Sequence, residues 1–159
     1  MTGGLGTELA GHPFLRGLRP GQLGRLAAAA TAVRVPAGHR FFEEGGRAVK
    51  FWLIMSGHVA LDLDVPGRAP LIIETLGGGD LIGLSWAAPP HQWQYGAQAV
   101  QPTDAYEFDA PAVILACDAD PELGYHLIRR LMAVAAQRMH SSRIRMLDLY
   151  GTPDSGGRP

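Results

Sequence analysis

The stretch Glu74–Ala99, ETLGGGDLIGLSWAAPPHQWQYGAQA, carries the reading of the fold. A strand there empties through Gly77-Gly78-Gly79 toward Gly83-Leu84-Ser85-Trp86, and a Pro89-Pro90 loop leads into a further strand. Glycine admits the tight turns that such a path demands. The layout is that of a loop built to close over a small ligand. No Lys or Arg occurs between Arg68 and Arg129, so a phosphate held by this loop would have no cation from the loop itself.

Upstream, the pattern is also one of short strands. Val33 and Val35 flank Arg34, Pro36-Ala37-Gly38 turns the chain into His39–Phe42, and Glu44-Gly45-Gly46 turns it again before Val49–Met55. Phe51-Trp52-Leu53-Ile54-Met55 is apolar on both faces. Val59, Leu61, Leu63 and Val65 alternate with His58, Ala60, Asp62 and Asp64, which predicts a half-buried strand. Pro66-Gly67-Arg68 closes a hairpin into Leu71–Leu76. Downstream, Tyr95, Ala97 and Ala99 share one face, as do Tyr106 and Phe108. Short strands between regular Gly/Pro turns imply a closed or sandwich-like antiparallel structure, in which few sheet edges are exposed.

Helices flank the strands. Leu23, Leu26, Ala27 and Ala30 form an i, i+3, i+4, i+7 stripe within Pro20–Ala30. Asp109 can cap a helix with Pro111 in its opening turn, and Asp120-Pro121-Glu122 starts another. No breaker follows until Gly151-Thr152-Pro153, so this last helix spans about 30 residues, roughly 45 Å. Leu123, Leu127, Leu131 and Val134 form a seam suited to the barrel. A second seam, Ile128, Met132, Ala135, Met139, Ser142, Met146 and Leu149, follows a 4-3-4-3-4-3 spacing. That is the rhythm of paired helices, and it predicts a homodimer. Arg129, Arg130, Arg138, Arg143 and Arg145 fall mostly outside the seam and read as a solvated rim. The organisation is thus a loose segment 1–11, a β domain with flanking helices over 12–119, a dimerisation helix 120–150 and a disordered tail 151–159.

Composition narrows the function. The 159 residues suit one domain, with 47% apolar and 18% charged residues. A net charge of −1 supplies no general attraction to nucleic acid or anionic membrane. The lone Cys117 excludes an internal disulfide framework and a thiolate zinc site. The N-terminus has no secretion-signal pattern and no stretch is long enough to span a bilayer, so the expectation is a cytoplasmic protein. His12, His39, His58, His91, His126 and His140 contain no His-x-His pair of the kind a cupin metal site uses. No Gly-x-Ser-x-Gly elbow or phosphate-binding Walker loop occurs either, so no catalytic or metal-ligating residue is assigned.

With these pieces in order, the chain resembles the cyclic-nucleotide-binding domain of the catabolite-activator and fumarate-nitrate-regulator superfamily. The resemblance runs from His12 to Tyr150. It rests on His12-Pro13-Phe14-Leu15, Pro36-Ala37-Gly38 before Phe41-Phe42-Glu43-Glu44-Gly45, Trp52-Leu53-Ile54 before Ser56-Gly57-His58-Val59, Leu76-Gly77-Gly78-Gly79-Asp80, and Ile82-Gly83. It implies a mainly β fold, a double-stranded β-helix or jelly-roll barrel, with a long C-terminal dimerisation helix.

The resemblance also defines what is missing. Members that bind cyclic nucleotide usually follow the glycine with a Glu that accepts from the ribose 2′-hydroxyl, and an Arg further on meets the cyclic phosphate. Here Leu84 stands at the Glu position, and the Arg position falls at Trp93 or Gln94. Gly83, Leu84, Ser85, Trp86, Trp93 and Gln94 are therefore the expected ligand-binding residues. Ser142 joins them, since the family's long helix often offers a hydroxyl there to the base. The expected ligand is a weakly bound cyclic nucleotide (cyclic AMP or cyclic GMP) or another small planar molecule, unless the tryptophans fill the pocket themselves. This implies a non-enzymatic regulatory module; the alternatives are a ligand-free protein-interaction module of a larger complex and, further from the pattern, a cupin-like metalloenzyme. The chain ends nine residues past Tyr150, so a free-standing domain without a helix-turn-helix, and no direct DNA binding, is the further expectation.

Overall fold

The computed structural model describes residues 4–150, apart from the side chains at 145, 146, 149 and 150. Its strands are β1 (Ala30–Val35), β2 (Arg40–Phe42), β3 (Lys50–Ser56), β4 (Val59–Leu63), β5 (Leu71–Leu76), β6 (Leu81–Ile82), β7 (Gly96–Ala99) and β8 (Thr103–Asp109). They build two four-stranded antiparallel sheets, in the orders β1-β8-β3-β6 and β2-β7-β4-β5. The first strand pairs with the last, from Ala30 opposite Phe108 to Val35 opposite Thr103. This is the sandwich-like antiparallel structure that the turn spacing implies, in the jelly-roll arrangement that the resemblance implies.

The helices are α1 (Leu5–Leu9), α2 (Pro20–Ala28), α3 (Ala110–Ala119) and α4 (Pro121–Tyr150). Asp109 caps α3 by accepting from Ala112 N at 3.4 Å, and Asp120 caps α4 by accepting from Leu123 N at 3.2 Å. Leu123, Leu127 and Leu131 are buried, and Val134 packs against the same core, as their seam predicts. No helix among the described residues is long and apolar enough to cross a membrane.

Strand β3 is apolar on both faces because both faces are covered. On one side Trp52 meets Phe41, Phe42 and Trp93 of the facing layer. On the other, Phe51 stacks on Phe108 at 4.7 Å and on Trp86 at 4.5 Å, with α3 packed nearby.

Two expectations are corrected. Strand β4 is not half-solvated: Ala60 and Asp62, on the face read as polar, are buried with Val59 and Leu61. Asp62 is tolerated there because Arg40 donates to both its carboxylate oxygens, at 2.5 and 3.1 Å, and so replaces the lost water. A Cβ on Gly96 would collide with this pair, so only glycine leaves room for it. The segment read as loose, 1–11, contains α1, which is docked: Leu9 is fully buried, and Glu8 accepts from the Tyr106 hydroxyl at 3.0 Å. Residues 1–3 and the tail 151–159 lie outside the described residues.

His12 ties the one-turn 3₁₀ helix Pro13–Leu15 to β3. Its Nδ1 accepts from Phe14 N at 3.2 Å, which leaves Nε2–H to donate to Ile54 O at 2.9 Å. These contacts specify a neutral imidazole. Burial lowers its pKa, against the opposing pull of the Ile54 bond and Asp80. The folded form therefore binds fewer protons than the unfolded chain below the ordinary value of about 6.5. Stability is expected to be full above that pH and to fall as pH drops through the window beneath it. Urea midpoints at pH 7.5 and 5.5, with the His12 ring titrated by NMR, check this; a His12 pKa above 6.5 contradicts it.

Candidate functional site

The site begins where β6 ends. Gly83 has φ of +97°, a left-handed conformation that other residues rarely adopt, and a Cβ there would lie 3.0 Å from the Trp93 ring. Both requirements demand glycine. Leu84 follows, then a one-turn 3₁₀ helix over Ser85–Ala87.

The two tryptophans of this segment diverge. Trp86 donates from Nε1 to Gly83 O at 3.2 Å and lays its ring on Phe51, away from the cavity. Trp93 is only 5% exposed and stacks on Phe42 at 3.7 Å, with 9° between the rings. It forms a flat wall. Of the two positions matched to the family's arginine, Trp93 is thus structural, while Gln94 is exposed beside the cavity.

Between barrel and helix lies a cavity of about 740 Å³, within the range of sites for drug-sized ligands. Gly83, Leu84, Ser85, Trp93, Gln94 and Ser142 all line it, so the structure brings together these sequence-predicted residues; Trp86 does not line it. Phe42, Leu61 and Tyr95 complete the barrel wall, and Ala135, Met139 and Leu147 add apolar surface from α4. The tryptophans do not plug the space. Expected seam residues Ala135, Met139 and Ser142 therefore also face the cavity, while the side chains of Met146 and Leu149 lie outside the described residues.

Two of the five arginines, Arg130 and Arg138, depart from the solvated rim expected of them, whereas Arg129 and Arg143 are exposed and the side chain of Arg145 lies outside the described residues. Arg138 is 12% exposed, donates to Leu81 O, and places Nε 4.0 Å from Glu74 Oε2. Burial lowers its pKa, while Glu74, Asp80 and Tyr95 act in the opposite direction. Arg130 donates to Phe14 O at 2.6 Å and to Arg16 O, pinning α4 to the N-terminal segment. Arg138 and Arg143 both line the cavity. The cassette has no cation of its own, but the helix across from it supplies two. A signal for Arg138 existed: it stands four residues before Ser142 and so shares its helix face.

The histidines serve the fold where they are bonded: besides His12, His91 Nδ1 lies 3.0 Å from Trp86 O in the cassette loop. Among the described residues no group of three or more His, Cys, Asp or Glu side chains is placed to hold a metal.

Comparison with known proteins places this geometry. A family model described as "Cyclic nucleotide-binding domain" matches residues 32–120. A CRP-like cAMP-activated global transcriptional regulator of Mycobacterium tuberculosis is 24% identical over 148 residues, which cover 93% of this chain and 64% of the relative. The chain thus spans less than two thirds of that curated relative. Among solved structures, a cyclic nucleotide-binding domain from Methylobacillus flagellatus KT superposes with a TM-score of 0.73 at 22% identity, covering 89% of this chain and 76% of the other. The sensor domain of the transcriptional regulator DNR from Pseudomonas aeruginosa gives 0.69 at 24% identity, covering 84% and 90%. At such identities the structural likeness speaks for the fold.

Proposed function

The chain belongs to the cyclic nucleotide-binding domain family, and we propose that it is a non-enzymatic sensor module whose cavity binds cyclic nucleotide weakly and takes a different small ligand. The observation that carries this reading is an open, mostly apolar cavity at the family's site, with Leu84 and Gln94 where two charged contacts would stand. A charge-assisted hydrogen bond typically contributes about 1.5–3 kcal/mol, so losing two weakens binding by roughly two to four decades. Calorimetric titration with cyclic AMP and cyclic GMP is expected to give dissociation constants weaker than about 100 µM. Low-micromolar binding of either would overturn the reading.

A small ligand is favoured over a docking surface formed by the cassette, because Trp86 and Trp93 are both buried and only the part of the loop around Pro89-Pro90 is exposed. We further propose that the chain pairs with a second copy through α4. Met132 is 66% and Met139 73% exposed, and Ile128 lies exposed along the same seam. Ala135, Met139 and Ser142 touch both seam and cavity, so a ligand that shifts them would alter the pairing of the helices. Sedimentation is expected to show a dimer at micromolar concentration, and Met132→Lys, which lies outside the cavity, should yield a monomer. A monomeric unaltered chain would remove this part of the proposal.

A further inference from the structure

The cavity contains a charge imbalance. Arg138 and Arg143 line it, and among the described residues no carboxylate does. Glu74 and Asp80 lie in an adjoining hollow, which Arg138 also lines, so that Arg138 forms the partition between the two spaces. One amino group of Arg138, Nη2, is engaged by Leu81 O; the other, Nη1, has no acceptor among the described residues. Arg143 has neither a hydrogen bond nor an ion pair among them. The rest of the lining is chiefly aromatic and aliphatic, with Phe42, Leu61, Leu84, Trp93 and Tyr95 on the barrel side.

We infer that the cavity takes an organic anion with a flat apolar body, whose acidic group is held by Arg138 and Arg143 of α4 rather than by the glycine-rich cassette. This rests on the proposed reading of the cavity as a ligand site and specifies the class of ligand. A neutral apolar molecule would cover the cavity side of the Arg138 guanidinium, which Leu81 O and Glu74 engage only from the other side. It would give the guanidinium no new acceptor in exchange for water. A carboxylate or sulfonate instead supplies the acceptor that the planar fork of arginine fits, and a charge-assisted bond of this kind is stronger than a neutral one. The aromatic wall accepts the body by stacking, as Phe42 and Trp93 already do with one another. At Leu84 the wall offers no acceptor for a sugar hydroxyl, so a sugar is left the polar contacts of residues such as Ser85, Gln94 and Ser142.

The test uses two fluorescent probes that share an aromatic frame, 1-anilinonaphthalene-8-sulfonate and the uncharged N-phenyl-1-naphthylamine, titrated into the full chain. The sulfonate is expected to bind about tenfold or more tightly than the uncharged probe. Arg143→Gln, at an exposed position, should remove about tenfold from sulfonate affinity and leave the uncharged probe unchanged. Arg138→Gln should do the same, with a thermal melt to verify folding; if it does not fold, Arg143→Gln carries the test. Ala135→Trp, which puts an indole into the cavity from α4, should block both probes. Because Ala135 also belongs to the proposed seam, the monomeric Met132→Lys chain serves as its control and should still bind them. Equal affinity of the two probes, together with indifference to Arg143→Gln, would overturn the inference while leaving the cavity reading intact, provided Ala135→Trp still blocks them. Binding of both probes unaffected by Ala135→Trp would overturn the cavity reading and the inference together.

Discussion

The double variant Leu84→Glu, Gln94→Arg is expected to bind cyclic AMP at least about 100-fold more tightly than the unaltered chain. Both positions line the cavity, and both side chains have freedom to change: Leu84 is half-buried, and Gln94 is exposed with its amide donating, among the described residues, to Gln92 O at 3.1 Å. A glutamate after Gly83 would supply an acceptor for a ribose hydroxyl, and an arginine at 94 a bidentate partner for the phosphate. The pair should exceed the sum of the singles, since one ligand must satisfy both groups at once. The contrasting variant is Trp93→Arg, which sequence spacing alone leaves as an equal option. It would bury a guanidinium against Phe42 and Trp52 and is expected to unfold the domain rather than restore binding. Calorimetry on the folded variants decides the matter. No gain in the double variant would mean that the cassette backbone, and not merely its side chains, has departed from a nucleotide-binding shape.

Trp93→Ala is expected to destabilise the domain by about 3–5 kcal/mol, the usual cost of removing a buried indole. Trp93 stacks face to face on Phe42, lies 6.3 Å from Trp52, and fills the space beside Gly83 that no Cβ can enter. Its loss would join a new void to the existing cavity, and the surrounding sheet cannot collapse into it without displacing Phe42. For a domain whose total stability is on the order of 5–15 kcal/mol, this is a large fraction. Urea denaturation followed by far-ultraviolet circular dichroism measures it. A loss below about 1 kcal/mol would show that Trp93 is a surface lid over the site and not part of its foundation.

The degree to which the chain was legible differs from element to element. The strands and turns were readable because their information is local: β-branched and aromatic runs interrupted by glycine and proline. The capping acids Asp109 and Asp120 announced α3 and α4 for the same reason, since a cap bonds to amides a few residues away. Helix α1 was not readable. A five-residue segment has little intrinsic helicity, and it is Leu9 in the core and Glu8 on Tyr106 that hold it. Asp62 was misread as solvent-facing because alternation reports polarity, and polarity implies exposure only when no partner such as Arg40 is brought to it from another strand.

The cassette was located from its glycines, and its missing Glu was visible in the sequence. Its cations were not. Arg138 is more than fifty residues from Gly83 in the chain, and its guanidinium enters the cavity wall only because α4 lies across the barrel. The fold and the absence of the cassette's ionic contacts were therefore determined by the sequence, through spacing and residue type. Which tryptophan forms a wall, that the cavity stays open, and that a helix supplies its positive charge were decided by the tertiary structure, because each depends on contacts between groups that only packing brings together.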